Sequence, residues 1–342
     1  MTPFGGDNDL VFRPGLPTFA MDQNPNAMKK TITILSCLLL LIACTPYGIT
    51  KVNLKKAFRQ KTAAKDLYSR VEIKPLRLPE TVALPENPHM DAADKLLFLT
   101  DASGEQVIVL DTDGAFVTTV DAGAPVTDFS AWGNLLDVLC GSEVKEYNLQ
   151  DFSLTRTLSL PTDGVTLTGM QRVDEDALWL YGNKEGKSYE GAYLFARDYY
   201  FMTRDNVFHT PGQHGDFFRC NDTTFFFLTT GQIFVYDAPS DFVFVPFTPD
   251  FGKHEPEVTA AQMTTDHLYM QMRLREQDLL LIYDRAGGRN RLFRTTTEGL
   301  VFPLGVIRDG VNYYCCPARR LKDYVSADAP ESADYYLLKY TL

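Results

Sequence analysis

The chain has 342 residues, is 45% hydrophobic and 12% aromatic, and carries a formal charge of −11. That apolar content excludes a disordered polymer and is enough for a substantial core. The acidic excess lies in residues 71–342 and leaves no basic face for phosphates, so no nucleic-acid partner is expected.

Residues 1–27 are rich in Pro, Gly, Asp and Asn and lack periodicity, and a second methionine, Met28, follows them. Lys29 and Lys30 then precede an apolar run that closes on Leu41-Ile42-Ala43-Cys44. A charged start, a short greasy middle and a small residue at the cut mark an export signal. The 13 positions from Thr31 to Ala43 are too few for a membrane-spanning helix, which needs roughly 20. Residues 1–27 therefore read as an upstream mis-start and 28–43 as a signal peptide. Cys44, directly after the cut, resembles the lipid-modified cysteine of bacterial lipoproteins, which implies attachment to a membrane.

Residues 44–70 read as a tether. It carries Lys51, Lys55, Lys56, Arg59, Lys61, Lys65 and Arg70 against Asp66 alone, and Leu54, Ala57, Phe58, Ala64, Leu67 and Tyr68 recur at nearly helical spacing. Such a partly helical, basic segment either lies on an anionic membrane surface or serves as a solvated linker.

From residue 71 onward helical periodicity gives way to short strands broken by Asp, Asn and Gly. Turn signals at Asp94, Asn134, Asp176, Asp222, Asp266 and Gly310 recur at intervals of 40, 42, 46, 44 and 44. Each is followed by an apolar strand, such as Leu96-Leu97-Phe98-Leu99 or Phe225-Phe226-Phe227-Leu228, and after a loop by a second one. A period in the forties with four strand-sized pieces is that of β-propeller blades. Naming the strands of each unit a to d, five units have a d strand and the sixth does not, because the chain ends as its c strand finishes. An orphan strand at Val71–Leu78 precedes the first unit. Pairing it with the last predicts an all-β, six-bladed propeller over 71–342, of four-stranded antiparallel blades, with the last blade closed by an N-terminal strand. Pro75 suits that outermost position, where a missing N–H costs nothing. A β-sandwich is the competing architecture.

The lipobox, the short tether, the six units and phrases such as Leu110-Asp111-Thr112-Asp113-Gly114-Ala115-Phe116 and Asp250-Phe251-Gly252-Lys253 resemble the six-bladed β-propeller lipoproteins of Bacteroidota, in the TolB-like propeller superfamily. The resemblance implies a cell-envelope lipoprotein without a defined activity. Thr45-Pro46-Tyr47-Gly48 after the cysteine lacks the acidic residues that favour surface display in such lipoproteins, which implies an outer-membrane protein facing the periplasm.

The d-to-a and b-to-c loops of a propeller gather on one face, where ligands usually bind. Two of the long loops supply His209, His214, Asp216, His254 and Glu255 as candidate ligand-binding groups, and Asp250 and Glu257 lie beside them. A third, over 316–334, supplies Arg319, Arg320 and Tyr324, a cationic cluster suited to a carboxylate or phosphate, or to pairing with the acidic body. Arg172, Arg219, Gln262 and Arg308 fall on inner strands near the expected channel and favour an anionic ligand. Cys140, Cys220, Cys315 and Cys316 read as thiols. No metal, cofactor or catalytic residue is expected: there is no Gly-x-Ser-x-Gly, no His-Glu-x-x-His and no phosphate-binding glycine loop.

Three roles are open. The favoured one is a noncatalytic binding or scaffold module for a glycan, peptide or protein partner. A metal-dependent hydrolase of the lactonase or esterase kind is the rival, with Asp128 and Glu257 as possible ligands. A structural subunit of an outer-membrane complex is the third.

Overall fold

The computed structural model describes residues 49–52, 67–160, 162, 164–173, 177–184, 190–196, 200–203, 215–221, 223–237, 242–294 and 300–342. The signal peptide, Cys44, most of the tether, His209 and His214 lie outside the described residues, as do the turns at Asp176 and Asp222. Among the described residues no helix is long and apolar enough to cross a membrane.

The described strands form six sheets, five of four strands and one of five. Their inner strands are Met90–Ala93, Asp128–Trp132, Val165–Arg172, Gly215–Cys220, Glu257–Met263 and Val306–Arg308. Each begins an antiparallel sheet, and the inner strands neighbour one another in chain order, the sixth returning to the first. The result is an all-β propeller with four-stranded antiparallel blades.

Strand alternation explains why these strands are apolar along their length. Leu97 and Leu99 pack toward the sixth sheet with Tyr313, Cys315 and Leu337, whereas Phe98 packs toward the second with Phe129, Leu136 and Val138. Each sheet is thus sandwiched, and both of its faces must be greasy. Adjacent Cys315 and Cys316 divide the same way, one facing the first sheet and the other the fifth; all four described cysteines are free thiols. Apolar clusters fill every consecutive gap, including that between the fifth and sixth sheets, where Tyr269, Leu280 and Phe293 meet Phe302, Leu338 and Tyr340.

Closure of the last sheet uses the N-terminal strand. Arg70–Pro75 pairs antiparallel with Tyr335–Thr341, setting Ile73 opposite Leu338, while Val311–Pro317 and Val306–Arg308 complete the sheet inward. The expected strand at 71–78 therefore starts one residue earlier and ends at Pro75. The fourth sheet gains a strand that the sequence analysis does not include. Ile49–Lys51 adds in parallel to the outer strand Phe242–Asp250, and Val52 N–H donates to the Asp250 carbonyl. It covers an edge that otherwise presents unpaired backbone groups.

Turn chemistry is local. In the Asp-Thr-Asp-Gly phrase, Asp111 accepts from the N–H groups of Asp113 and Ala115 at 2.9 and 2.8 Å, and Gly114 adopts φ +85°. Asp250 and Gly252 repeat the motif at 2.8 Å. The short aspartate side chain mimics a backbone turn, and glycine takes the left-handed position without strain.

Candidate functional site

A polar channel runs where the inner strands converge. Its largest chamber, about 540 Å³, lies toward the a-to-b turns and is bordered by His89, Asp91, Gln171, Arg219, Gln262 and Arg308, with Asp266 and Asp309 at its exposed rim. Two smaller cavities, of about 360 and 290 Å³, lie toward the opposite mouth; Asp216 and His89 border both. Among the described residues the largest of these three spaces thus faces away from the loop-rich end, where the sequence predicts ligands.

At the narrow centre the carboxylates serve the backbone first. The inner strand of each sheet has an edge facing the channel, and its N–H groups need acceptors. Asp91 accepts from Ala92 N–H at 2.8 Å and from Ala131 N–H of the next sheet at 2.8 Å. Asp128 accepts from Met170 N–H at 2.6 Å in the third sheet. Ser130 extends the pattern, accepting from Arg172 N–H at 3.0 Å and from the Gln171 carboxamide at 2.7 Å. These side chains lace neighbouring sheets together around the axis.

His89 joins the group, with Nε2 at 3.2 Å from the Asp128 carboxylate and its ring edge-on to Phe129 at 4.9 Å. Its side chain keeps 41% of its surface accessible although protein surrounds it. Burial by itself would lower its proton affinity, but the charges of Asp128, Asp216 and Asp91 outweigh this and raise it. Burial pushes the Asp128 carboxyl up to about 7, with His89 opposing the shift and Asp216 adding to it. Asp91 and Asp216 are raised by burial as well, offset in turn by Arg219 and by His89. The four groups titrate as a coupled set.

Arg219 faces the chamber from the fourth sheet. Burial, with Arg308 and Arg172 adding to the effect, lowers its guanidinium to about 10, so it remains a cation at neutral pH. Its Nη1 donates to the Ala131 carbonyl at 3.2 Å and its Nη2 to the Arg172 carbonyl. Arg308 enters from the sixth sheet.

Arg172 does not face this chamber. It crosses from the third sheet into the second, where it pairs with Asp137 and, at 2.8 Å, with Glu146, and is 1% exposed. Burial would raise Glu146, yet Arg156 and Arg172 hold its carboxyl below the usual range. This residue is a structural tie between sheets rather than part of a binding surface.

The loop over 316–334 folds back on the body. A 3-10 turn, Ala318–Arg320, runs into one α-helical turn, Leu321–Tyr324. Arg319 pairs with Glu86 at 2.9 Å, Arg320 with Asp323 at 3.3 Å, and buried Tyr324 hydrogen-bonds the Tyr314 hydroxyl at 3.0 Å beneath the Arg320 guanidinium. Their partners come from this chain. His254 and Glu255 sit on the turn between the fourth and fifth sheets and border none of the three cavities. Among the described residues, Asp216 is the one acidic or histidine loop candidate that borders the cavities, and Asp128, named as a possible metal ligand, borders one of them as well.

Sequence reasoning did not single out His89 or Asp91. A signal was present: an aspartate leads an otherwise apolar inner strand in Asp91-Ala92-Ala93, Asp128-Phe129 and Asp216-Phe217-Phe218. A charge in a strand sandwiched on both faces must either serve the channel edge, as these aspartates do, or meet an opposite charge between sheets, as Arg172 does. Among the described residues no three His, Cys, Asp or Glu side chains converge as a metal-binding group.

No protein-family model matches the chain, and no curated protein matches it. Among solved structures it is similar to an exported protein of Bacteroides fragilis, with a TM-score of 0.65 and 12% identity, over 85% of this chain and 99% of that one. It is also similar to a member of the duf4221 family from Bacteroides vulgatus, with a TM-score of 0.50 and 9% identity, over 80% of this chain and 96% of that one. At these identities the likeness concerns the fold alone.

Proposed function

We propose that this protein is a lipid-anchored, six-bladed β-propeller of the cell envelope that binds a small solute, or a projecting group of a glycan, peptide or protein partner, in its central channel without catalysing a reaction. The observation that carries the reading is the chamber of about 540 Å³. Its size falls within the roughly 300–1,000 Å³ usual for small-molecule sites. Its lining offers charged and carboxamide groups for recognition. Support for the blade count comes from the ring of inner strands, whose sixth member returns to the first. The lipobox at Cys44 supports the anchor, and the lack of acidic residues after it supports an outer-membrane location facing the periplasm.

The metal-dependent hydrolase is the weaker reading, because Asp128 is engaged with Met170 and His89 and no metal-binding group surrounds it among the described residues. A structural subunit is weaker too: Val117 and Leu154 are the exposed large hydrophobics among the described residues, and isolated apolar residues are ordinary surface. Native lipoprotein recovered from its own envelope in mild detergent is expected to release a bound solute or partner on denaturation, read by mass spectrometry. It is expected to leave lactone and ester substrates intact with calcium or zinc added. Turnover with either metal would overturn the noncatalytic reading.

A further inference from the structure

Two guanidinium groups approach the large chamber with donors unspent. Arg219 gives Nη1 and Nη2 to main-chain carbonyls, but its Nε is buried without an acceptor. Arg308 Nε is likewise buried without a hydrogen-bond partner, and its ion pair is to exposed Asp309, 3.9 Å away. That separation is too long for a hydrogen bond. Asp91 is the inward carboxylate that acts on Arg219, yet its oxygens already accept from Ala92 and Ala131. The lining therefore sets two guanidinium cations, which repel each other, beside Asp91 within and Asp266 and Asp309 at the rim, and among the described residues no acceptor answers their Nε donors. Unmet charged donors are costly where water is restricted, and planar guanidinium forks match the oxygens of carboxylate and phosphoryl groups.

We propose that the chamber seats an organic anion whose carboxylate or phosphoryl oxygens lie between Arg219 and Arg308, while the carboxamides of Gln171 and Gln262 contact its uncharged part. The chamber volume, far above that of a bare inorganic ion, is what calls for an organic body behind the anionic head. This inference rests on the channel-binding reading above and names the chemistry of the same site.

The test is calorimetric titration of the full-length lipoprotein in detergent with two matched pairs, glucose 6-phosphate against glucose and succinate against succinamide. At least one anionic member is expected to bind tenfold or more tightly than its neutral partner, and to weaken as sodium chloride is raised. Arg308→Gln is expected to reduce that affinity at least tenfold, and Arg308→Lys to restore part of it. Because the Arg308 side chain donates no hydrogen bond among the described residues, its variants should keep the parent melting temperature. Which pair responds separates phosphoryl from carboxylate recognition. Unchanged affinity in Arg308→Gln, or absence of binding by both anions, overturns the inference. Equal binding of neutral and anionic members also overturns it but leaves the channel-binding reading standing.

Discussion

The identity of a charge says little until its partner is known, and Arg172 illustrates this. Its guanidinium is sealed between two sheets against Asp137 and Glu146. Removing one member of a buried ionic cluster strands the others in a low-dielectric interior, at a cost of about 3–5 kcal/mol. Arg172→Ala is therefore expected to lower unfolding stability by that amount in a urea titration at pH 7. A loss below 1 kcal/mol would mean that water reaches Asp137.

The channel carboxylates make a different prediction. In the folded protein the Asp128 carboxyl holds its proton up to about pH 7, against about 3.9 when unfolded. Between those values the native state binds the extra proton, so the stabilisation is full below about pH 4 and is lost as pH rises through 7. The raised His89 contributes with the same sign, present below its unfolded value of about 6.5 and lost above its folded one, and raised Asp91 and Asp216 do so too. Stability is expected to fall between pH 5 and pH 8, by at most about 3 kcal/mol from Asp128, since only the stretch from pH 5 to 7 lies between its unfolded and folded values and each pH unit there is worth about 1.4 kcal/mol. Asp128→Asn keeps an oxygen for the Met170 N–H and should flatten the profile; an unchanged slope in thermal melts across that pH range would refute the assignment.

At the scale of elements, the decisive contact joins the two ends of the propeller. Val71 and Ile73 of the strand Arg70–Pro75 pack on the cluster holding Leu338 and Tyr340. Ile73→Ala removes half-buried methyl groups from that closure and is expected to cost roughly 1–2 kcal/mol, at the low end for large-to-small changes because the site keeps some solvent contact. A stronger effect is expected in hydrogen exchange, where the amides of Tyr335–Thr341 should lose protection ahead of those in the second sheet. Uniform loss in both would show that the closing strand has no special role. This element was readable from the chain because a unit lacking its fourth strand and an orphan strand ahead of the first unit are complementary defects. The parallel strand Ile49–Lys51 was not, since three residues on an edge carry no periodicity and owe their conformation to Phe242–Asp250.

For the whole molecule, the proposed anchor at Cys44 would decide where the channel operates. Cys44→Ala is expected to move the protein from the detergent-extracted membrane fraction to the soluble periplasmic fraction, followed by immunoblotting of fractionated cells, with the melting temperature of the propeller unchanged. Continued membrane association of the variant would assign attachment to the basic tether, and high salt would then release it.

The sequence by itself determined strand content, the four-strand unit, the sequential order of the sheets and the mode of closure, because these rest on alternation, aspartate-glycine turns and the count of strands, all local properties. It also brought Arg219, Gln262 and Arg308 forward as channel residues. Only the tertiary structure decided that Arg172 turns into an inter-sheet ion pair while Arg219 and Arg308 turn toward open space, and that His89 meets Asp128 across 39 positions of chain. Those outcomes depend on the angle at which one sheet packs on the next, and a residue's neighbours around a ring are set by that angle rather than by its neighbours in sequence.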